Sequence, residues 1–332
     1  MTTSPAIGVM FRREQPPERL PGYARRVEAA DFDELWVVED CFYMGGVAQA
    51  ATALAATERI TVGLGIAPAV ARNAAFLAME YATLARMHPG RFHCGIGHGV
   101  AAWMDQIGAR PASWLGALEE TTGAVRAILR GERVTTDGRY VRLRDVGLEH
   151  VPNPAPPVSL GVQREKSLML AGRCADGTIL AEASAPAYIT WARDRIEQGR
   201  AESPGVPDTH RITVFALCDV DAVDADRARA SVRPALAPFL GGGSASPQVG
   251  TLPCAGEIDA MIADGGVDAL AREMPAAWVE DLAVAGSPDD ARRSIARLRD
   301  AGADSVVLVP PPEIDADAWL DRIATRLLPT LR

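Results

Sequence analysis

The sequence predicts an α/β protein, a (β/α)8 TIM barrel with insertions between its units, and three observations carry that expectation. Short β-rich runs alternate with longer Ala/Leu/Arg segments at helical spacing, the pattern of parallel βα units. The alternation repeats eight times, and eight parallel strands joined by crossovers close a sheet. The chain has 332 residues, 48% of them hydrophobic, enough for one barrel domain over 1–332 with a large core.

In order, a first strand is expected at Ala6 to Met10 with a helix over about Pro17 to Ala30. Glu34 to Val38 then leads to Gly46 to Thr57, Ile60 to Ile66 to Asn73 to Met87, and Arg91 to Ile96 to Leu115 to Arg130. In the second half Val158 to Val162 pairs with Glu165 to Cys174, and Gly177 to Ala181 with Pro186 to Gln198. Arg211 to Val220 with Ala225 to Phe239, and Ser305 to Val309 with Asp315 to Leu328, complete the set. Punctuation supports this register. In Ser287-Pro288-Asp289-Asp290 the serine can cap, proline suits the first turn and the acids meet the positive dipole end. Ala301-Gly302-Ala303 stops that helix before the last strand.

Three stretches exceed a minimal repeat and read as insertions, at about 100–114, 131–157 and 241–278. Within the second, Arg133 to Arg144 has Asp137-Gly138 between β-prone runs and predicts a hairpin. Gly241-Gly242-Gly243-Ser244 predicts a flexible entry to a lid or substrate loop.

Composition narrows the function. The formal net charge is −9, so the global field repels nucleic acid and anionic membrane, and a phosphate site must be built locally from Arg, Lys and backbone amides. No apolar run reaches the roughly 18 to 20 residues that span a bilayer, and Met1 to Met10 lacks a basic start followed by a long apolar stretch. A soluble cytoplasmic protein is expected. Cys41, Cys94, Cys174, Cys218 and Cys254 are widely spaced without a CxxC pair, which fits a reducing compartment and argues against a disulfide framework. His88, His93, His150 and His210 show no metal spacing, so no metal is expected. G-x-S-x-G, Walker and H-E-x-x-H motifs are absent, which removes serine hydrolase, P-loop NTPase and zincin readings.

Chemistry-bearing residues gather at predicted strand ends. Gly95-Ile96-Gly97-His98-Gly99 follows the fourth strand, where small residues let backbone amides approach a ligand. Gly97, Gly99 and Ala102 also match the dinucleotide fingerprint G-x-G-x-x-A, but on the fourth strand, with Glu119 and Glu120 placed in a helix. Glu39-Asp40-Cys41 follows the second strand at the face where barrel enzymes place chemistry. The acids either act there or cap a helix and pair with Arg. Gly161-Val162-Gln163-Arg164-Glu165-Lys166-Ser167 joins the fifth strand to a helix and holds the only lysine. Helix-start amides with two cations can hold a phosphate; the alternative is a set of solvated helix charges.

At these strand ends the chain resembles the luciferase-like monooxygenase superfamily, in the branch similar to methylenetetrahydromethanopterin reductase that uses the deazaflavin coenzyme F420. Leu35 to Phe42, Ile60 to Pro68, His88 to Gly108 with its helix to Glu132, Ala171 to Gly177, and Ala285 through Val309 carry the resemblance. It implies a barrel holding a flavin or deazaflavin at the strand carboxyl ends. Asp40 would lie near the ring, and a non-proline cis peptide around Gly65-Ile66 would support it. Gly97, His98 and Gly99 would line the ring, while Gly161, Gln163, Arg164, Lys166 and Ser167 would hold the phosphate. Many relatives have His where this sequence has Cys41, so that proton-handling role does not carry over.

The resemblance leaves two cofactors open. F420 moves hydride only and implies a reductase or dehydrogenase; FMN also activates oxygen and implies a monooxygenase. A non-catalytic flavin-binding barrel is the third reading. The expected partners are a small-molecule or peptide substrate and a second copy of the chain, packed through barrel helices. Catalytic candidates are Asp40, Glu39, Cys41 and His98, with Asp40 expected to orient the ring or relay a proton.

Overall fold

The computed structural model describes residues 5–203 and 209–331. Its strands are β1 (Ala6–Met10), β2 (Glu34–Val37), β3 (Thr61–Pro68), β4 (Phe92–Gly97), β5 (Val134–Asp137), β6 (Arg142–Val146), β7 (Val158–Gly161), β8 (Gly177–Leu180), β9 (Arg211–Val220), β10 (Val284–Gly286) and β11 (Ser305–Val309). The helices are α1 (Leu20–Ala29), α2 (Gly46–Ala56), α3 (Ala74–Met87), α4 (Ala101–Gln106), α5 (Trp114–Leu129), α6 (Glu165–Cys174) and α7 (Pro186–Ala201). They continue as α8 (Ala225–Leu240), α9 (Pro247–Gly250), α10 (Ala255–Glu273), α11 (Ala276–Leu282), α12 (Pro288–Asp300) and α13 (Ala316–Arg326).

Strands β1, β2, β3, β4, β7, β8, β9 and β11 pair in that order, all parallel, and β11 returns to β1. This is the closed eight-stranded barrel that the sequence predicts. Both faces of its strands are covered, which is why they read as continuous apolar runs such as Ser-Val-Val-Leu-Val in β11. One core lies between barrel and outer helices, and a second fills the barrel interior. Gly63 makes room for the interior: a Cβ there would come within 2.4 Å of the Trp36 ring. Trp36 Nε1 donates to Glu34 at 2.7 Å, Ser305 donates to the same carboxylate at 2.7 Å, and Arg211 pairs with it. These polar contacts tie the strands together at the amino end of the barrel.

The insertions differ from expectation in one place. The hairpin is present as β5 and β6, its turn held by Glu120, which accepts from the backbone of Tyr140 and Val141 at 2.8 and 2.9 Å. That engagement takes Glu120 away from any ribose and ends the dinucleotide-fingerprint reading. The glycine run at 241–244, however, is no flexible entry. Gly241 ends α8, Gly243 takes φ 56°, and the Ser244 N–H donates to Asp259 at 2.8 Å. The glycines serve a tight reversal between helices. Val249, Ile258, Leu270 and Met274 from this insertion share the interior core with Leu240 of α8 and with Phe215 and Leu217 of β9. The segment is therefore a helical cap on that side of the barrel mouth. β10 extends it, pairing with the last residues of β9. The predicted cap of α12 is a full capping box between Ser287 and Asp290.

Candidate active site at the strand carboxyl ends

A floor of glycines lies where the strand ends converge. β3 is irregular between Leu64 and Ala67, and the Gly65–Ile66 peptide is cis, as is Cys41–Phe42. The Ile66 side chain folds over the ends of β4 and β7: a Cβ on Gly97 would meet it at 2.8 Å and one on Gly161 at 2.6 Å. Gly65 has Phe215 in its missing side-chain position, at 2.7 Å. Gly99 adopts φ 74°, which favours glycine, as β4 turns toward α4. Gly97 and Gly161 thus pack around the one aliphatic side chain of Ile66, with Gly65 preceding it and Gly99 close to Pro68.

The two adjacent acids part company. Glu39 sits against both terminal nitrogens of Arg72 and accepts from the Gly46 N–H at 2.7 Å, at the start of α2. Asp40 instead accepts from Arg13 at 2.8 Å, and that guanidinium lies 5.0 Å from the Tyr43 ring and 5.9 Å from the Trp103 ring. The loops after β1, β2 and β4 meet there, with Phe42, Tyr43, Val100 and Ile107 exposed around them. Burial, then the charges of Glu39 and Asp40, push the Cys41 thiol above its usual range. Cys41 is therefore held as a neutral thiol.

His98 joins the fourth-strand loop to the fifth-strand loop, its Nε2 lying 3.1 Å from Ser167 Oγ. Burial lowers its pKa, against the opposing pull of the Trp114 backbone, so the imidazole is neutral near pH 7. Arg164 caps α6, and Arg164, Lys166 and Gln163 are exposed while Ser167 is buried. Tyr188 donates to the Gln163 carbonyl at 2.7 Å and fixes the loop. Arg195 takes Glu165 at 3.1 Å; among the described residues neither Arg164 nor Lys166 carries an ion pair. The first N–H groups of α6 lack intrahelical partners, as at any helix start. A glycine-rich set of strand ends beside two cations without ion pairs among the described residues and a helix start fits a ring with an anionic tail.

One mouth residue was not singled out from the sequence. Glu182 stands just beyond β8 and is half-buried. Burial raises its pKa. The available signal was an acid two residues past a barrel strand. A cleft of about 820 Å³, lined by Glu28, Asp33, Glu34, Arg59 and Arg211 among others, opens at the opposite end of the barrel, away from the strand carboxyl ends. Among the described residues no group of three His, Cys, Asp or Glu side chains could hold a metal, and no helix is long and apolar enough to cross a membrane.

Comparison with known proteins agrees with this geometry. The chain is 29% identical to a 5,10-methylenetetrahydromethanopterin reductase of Methanolobus tindarius over 92% of its own length and 94% of the relative's. It is 27% identical to an F420-dependent glucose-6-phosphate dehydrogenase of Beutenbergia cavernae, covering 95% and 94% of the two chains. The solved coenzyme F420-dependent tetrahydromethanopterin reductase from Methanopyrus kandleri superposes with a TM-score of 0.83 at 21% identity, over 99% of this chain and 100% of that one. The model of the luciferase-like monooxygenase family matches residues 1–305; the chain belongs to that family.

Proposed function

We propose that this protein is an oxidoreductase that moves a hydride between the deazaflavin coenzyme F420 and an organic small molecule. The observation that carries the reading is near full-length similarity to curated F420 enzymes in both a reductase and a dehydrogenase. The glycine floor with unpaired Arg164 and Lys166 supports it. Gly65, Ile66, Gly97, His98 and Gly99 would seat the ring; Gly161, Gln163, Arg164, Lys166 and Ser167 would hold the phosphate tail. When bound, reduced F420 supplies a hydride. Glu39 positions α2 through Gly46 and Arg72, while Asp40 holds Arg13 at the rim and sets the charge beside the ring. Cys41 and His98 present neutral side chains to the pocket.

We read the chain as one domain, because insertion and barrel share a core. Its five free cysteines fit a reducing, cytoplasmic setting. We also propose a homodimer. Phe76, Met79 and Met87 expose one face of α3, beside exposed Ala48, Thr52 and Ala55 on α2, an apolar surface of the kind that marks an interface. The function is tested by titrating the protein with F420 and with FMN and following fluorescence. F420 should bind in the micromolar range or tighter. Tighter binding of FMN would replace the deazaflavin reading with an oxygenase, and bound F420 that never turns over would favour a storage barrel.

A further inference from the structure

Barrel order places β8 diametrically across from β2, so Glu182 and Asp40 face each other over the mouth. The turn that carries Glu182 is held from both sides. Ala183 is buried in the left-handed conformation at φ 63°, a costly one for a residue with a Cβ. Ser184 Oγ donates to the Ala181 carbonyl at 2.6 Å, and buried Gln248, from the helical insertion, donates to the Glu182 carbonyl at 3.0 Å. Among the described residues the carboxyl has no ion pair, and its own backbone N–H donates to it. Its cationic neighbours are engaged elsewhere: Arg12 with Glu14 at 2.9 Å and the Pro310 carbonyl at 3.1 Å, Arg13 with Asp40 at 2.8 Å and Glu14 at 3.1 Å. With both neighbouring guanidiniums engaged elsewhere, burial of this carboxyl is offset by no charged partner.

We propose that the Glu182 carboxyl is the proton donor of this site, serving a neutral carbonyl or imine substrate. The assignment rests on the hydride-transfer reading. The substrate carbon takes a hydride from reduced F420, and its π pair moves onto the oxygen or nitrogen. There a new O–H or N–H bond forms as the Glu182 O–H breaks. Loss of the hydride and of one ring N–H proton to solvent would leave oxidised F420, and solvent would reprotonate the Glu182 carboxylate; in reverse the carboxylate would accept the substrate proton. The other candidates suit the role less. Asp40 is an acceptor in a salt bridge, and His98 is neutral and tied to Ser167. The charged groups that Glu182 feels are Arg12 and Arg13 after β1, which lower its pKa, and Asp40 after β2, which raises it with burial. Burial outweighs the lowering contacts and the net shift is upward, the direction that suits a proton donor.

The test uses F420-loaded wild type, Glu182→Gln and Glu182→Asp. F420 affinity by fluorescence should change by less than about threefold in both variants, or ~0.7 kcal/mol. Infrared difference spectra between about pH 5 and pH 9 should show a protonated carboxyl that titrates above the ordinary carboxylate range and is missing in Glu182→Gln. Single-turnover oxidation of reduced F420 by acetone, cyclohexanone and a simple aldimine should slow by about 10²- to 10⁴-fold in Glu182→Gln, lose its decline at high pH, and partly recover in Glu182→Asp. Rates near wild type in Glu182→Gln, or no raised carboxyl titration, would overturn the assignment. Wild-type protein that oxidises reduced F420 with none of the three probes would overturn the acceptor class. Failure to bind F420 at all would instead remove the hydride-transfer reading on which the assignment depends.

Discussion

Replacing Glu39 and Asp40 singly by their amides separates a structural acid from a functional one. Glu39 is only 10% exposed and Arg72 26%. Its carboxylate meets Arg72 through both oxygens and takes the Gly46 N–H besides. Glu39→Gln keeps the shape but removes the charge, leaving Arg72 half-buried with only Glu80 at 3.4 Å. A hydrogen bond to a charged group is worth about 1.5 to 3 kcal/mol, and breaking a buried pair costs about 3 to 5. Allowing for the solvent that reaches Arg72, about 2 to 3 kcal/mol is expected. Asp40 and Arg13 are each about one-third exposed, so Asp40→Asn should cost at most ~1 kcal/mol of stability. The kinetic order reverses. Asp40→Asn leaves Arg13 unpaired beside the pocket and should lower the single-turnover rate at least about 100-fold, with F420 affinity changed much less. Glu39→Gln should lower both modestly. Because Asp40 raises the pKa of Glu182, Asp40→Asn should also move that titration downward. Urea unfolding, F420 fluorescence and stopped-flow oxidation of reduced F420 measure these quantities. Equal loss of stability in the two variants would refute the structural argument, and a near-normal single turnover in Asp40→Asn would take Asp40 out of the mechanism.

Arg164→Ala and Lys166→Ala should each weaken F420 binding by roughly 10-fold to 150-fold, the equivalent of about 1.5 to 3 kcal/mol; unchanged affinity in both places the phosphate elsewhere. Phe76→Glu combined with Met79→Glu should convert a dimer to a monomer in light scattering, and a wild type already monomeric at micromolar concentration would contradict the α3 interface. Buried His93, 2.7 Å from Ser159, is pushed down to about 3 by burial. Its folded pKa lies below its unfolded value of 6.5, so the stability it contributes is complete above about pH 6.5. That stability fades toward pH 3 by up to ~1.4 kcal/mol per pH unit. His93→Gln should flatten that slope in urea melts at successive pH values; an unchanged slope would show that other groups carry the acid sensitivity.

The barrel was legible because its signals are local and redundant. Each strand is a short apolar run closed by turn or cap residues, and β1, β9 and β11 lie where the sequence predicts them. The 241–278 stretch misled because its glycines look like linker chemistry, whereas Gly243 serves a reversal that Asp259 completes from 15 residues downstream. That partnership is tertiary and leaves no periodic trace. The acids after β2 show the same limit at the site. Adjacent in sequence and alike in chemistry, they diverge only because Arg72, from the loop after β3, reaches one and Arg13, from the loop after β1, reaches the other. Glu182 carried no motif at all. What distinguishes it is that among the described residues its carboxyl has no charged partner where the neighbouring arginines are already taken, and such a setting exists only once eight strand ends have been brought to one mouth. The glycines proposed to seat the ring stand out by their spacing, while the proposed proton donor had to be found from what surrounds it.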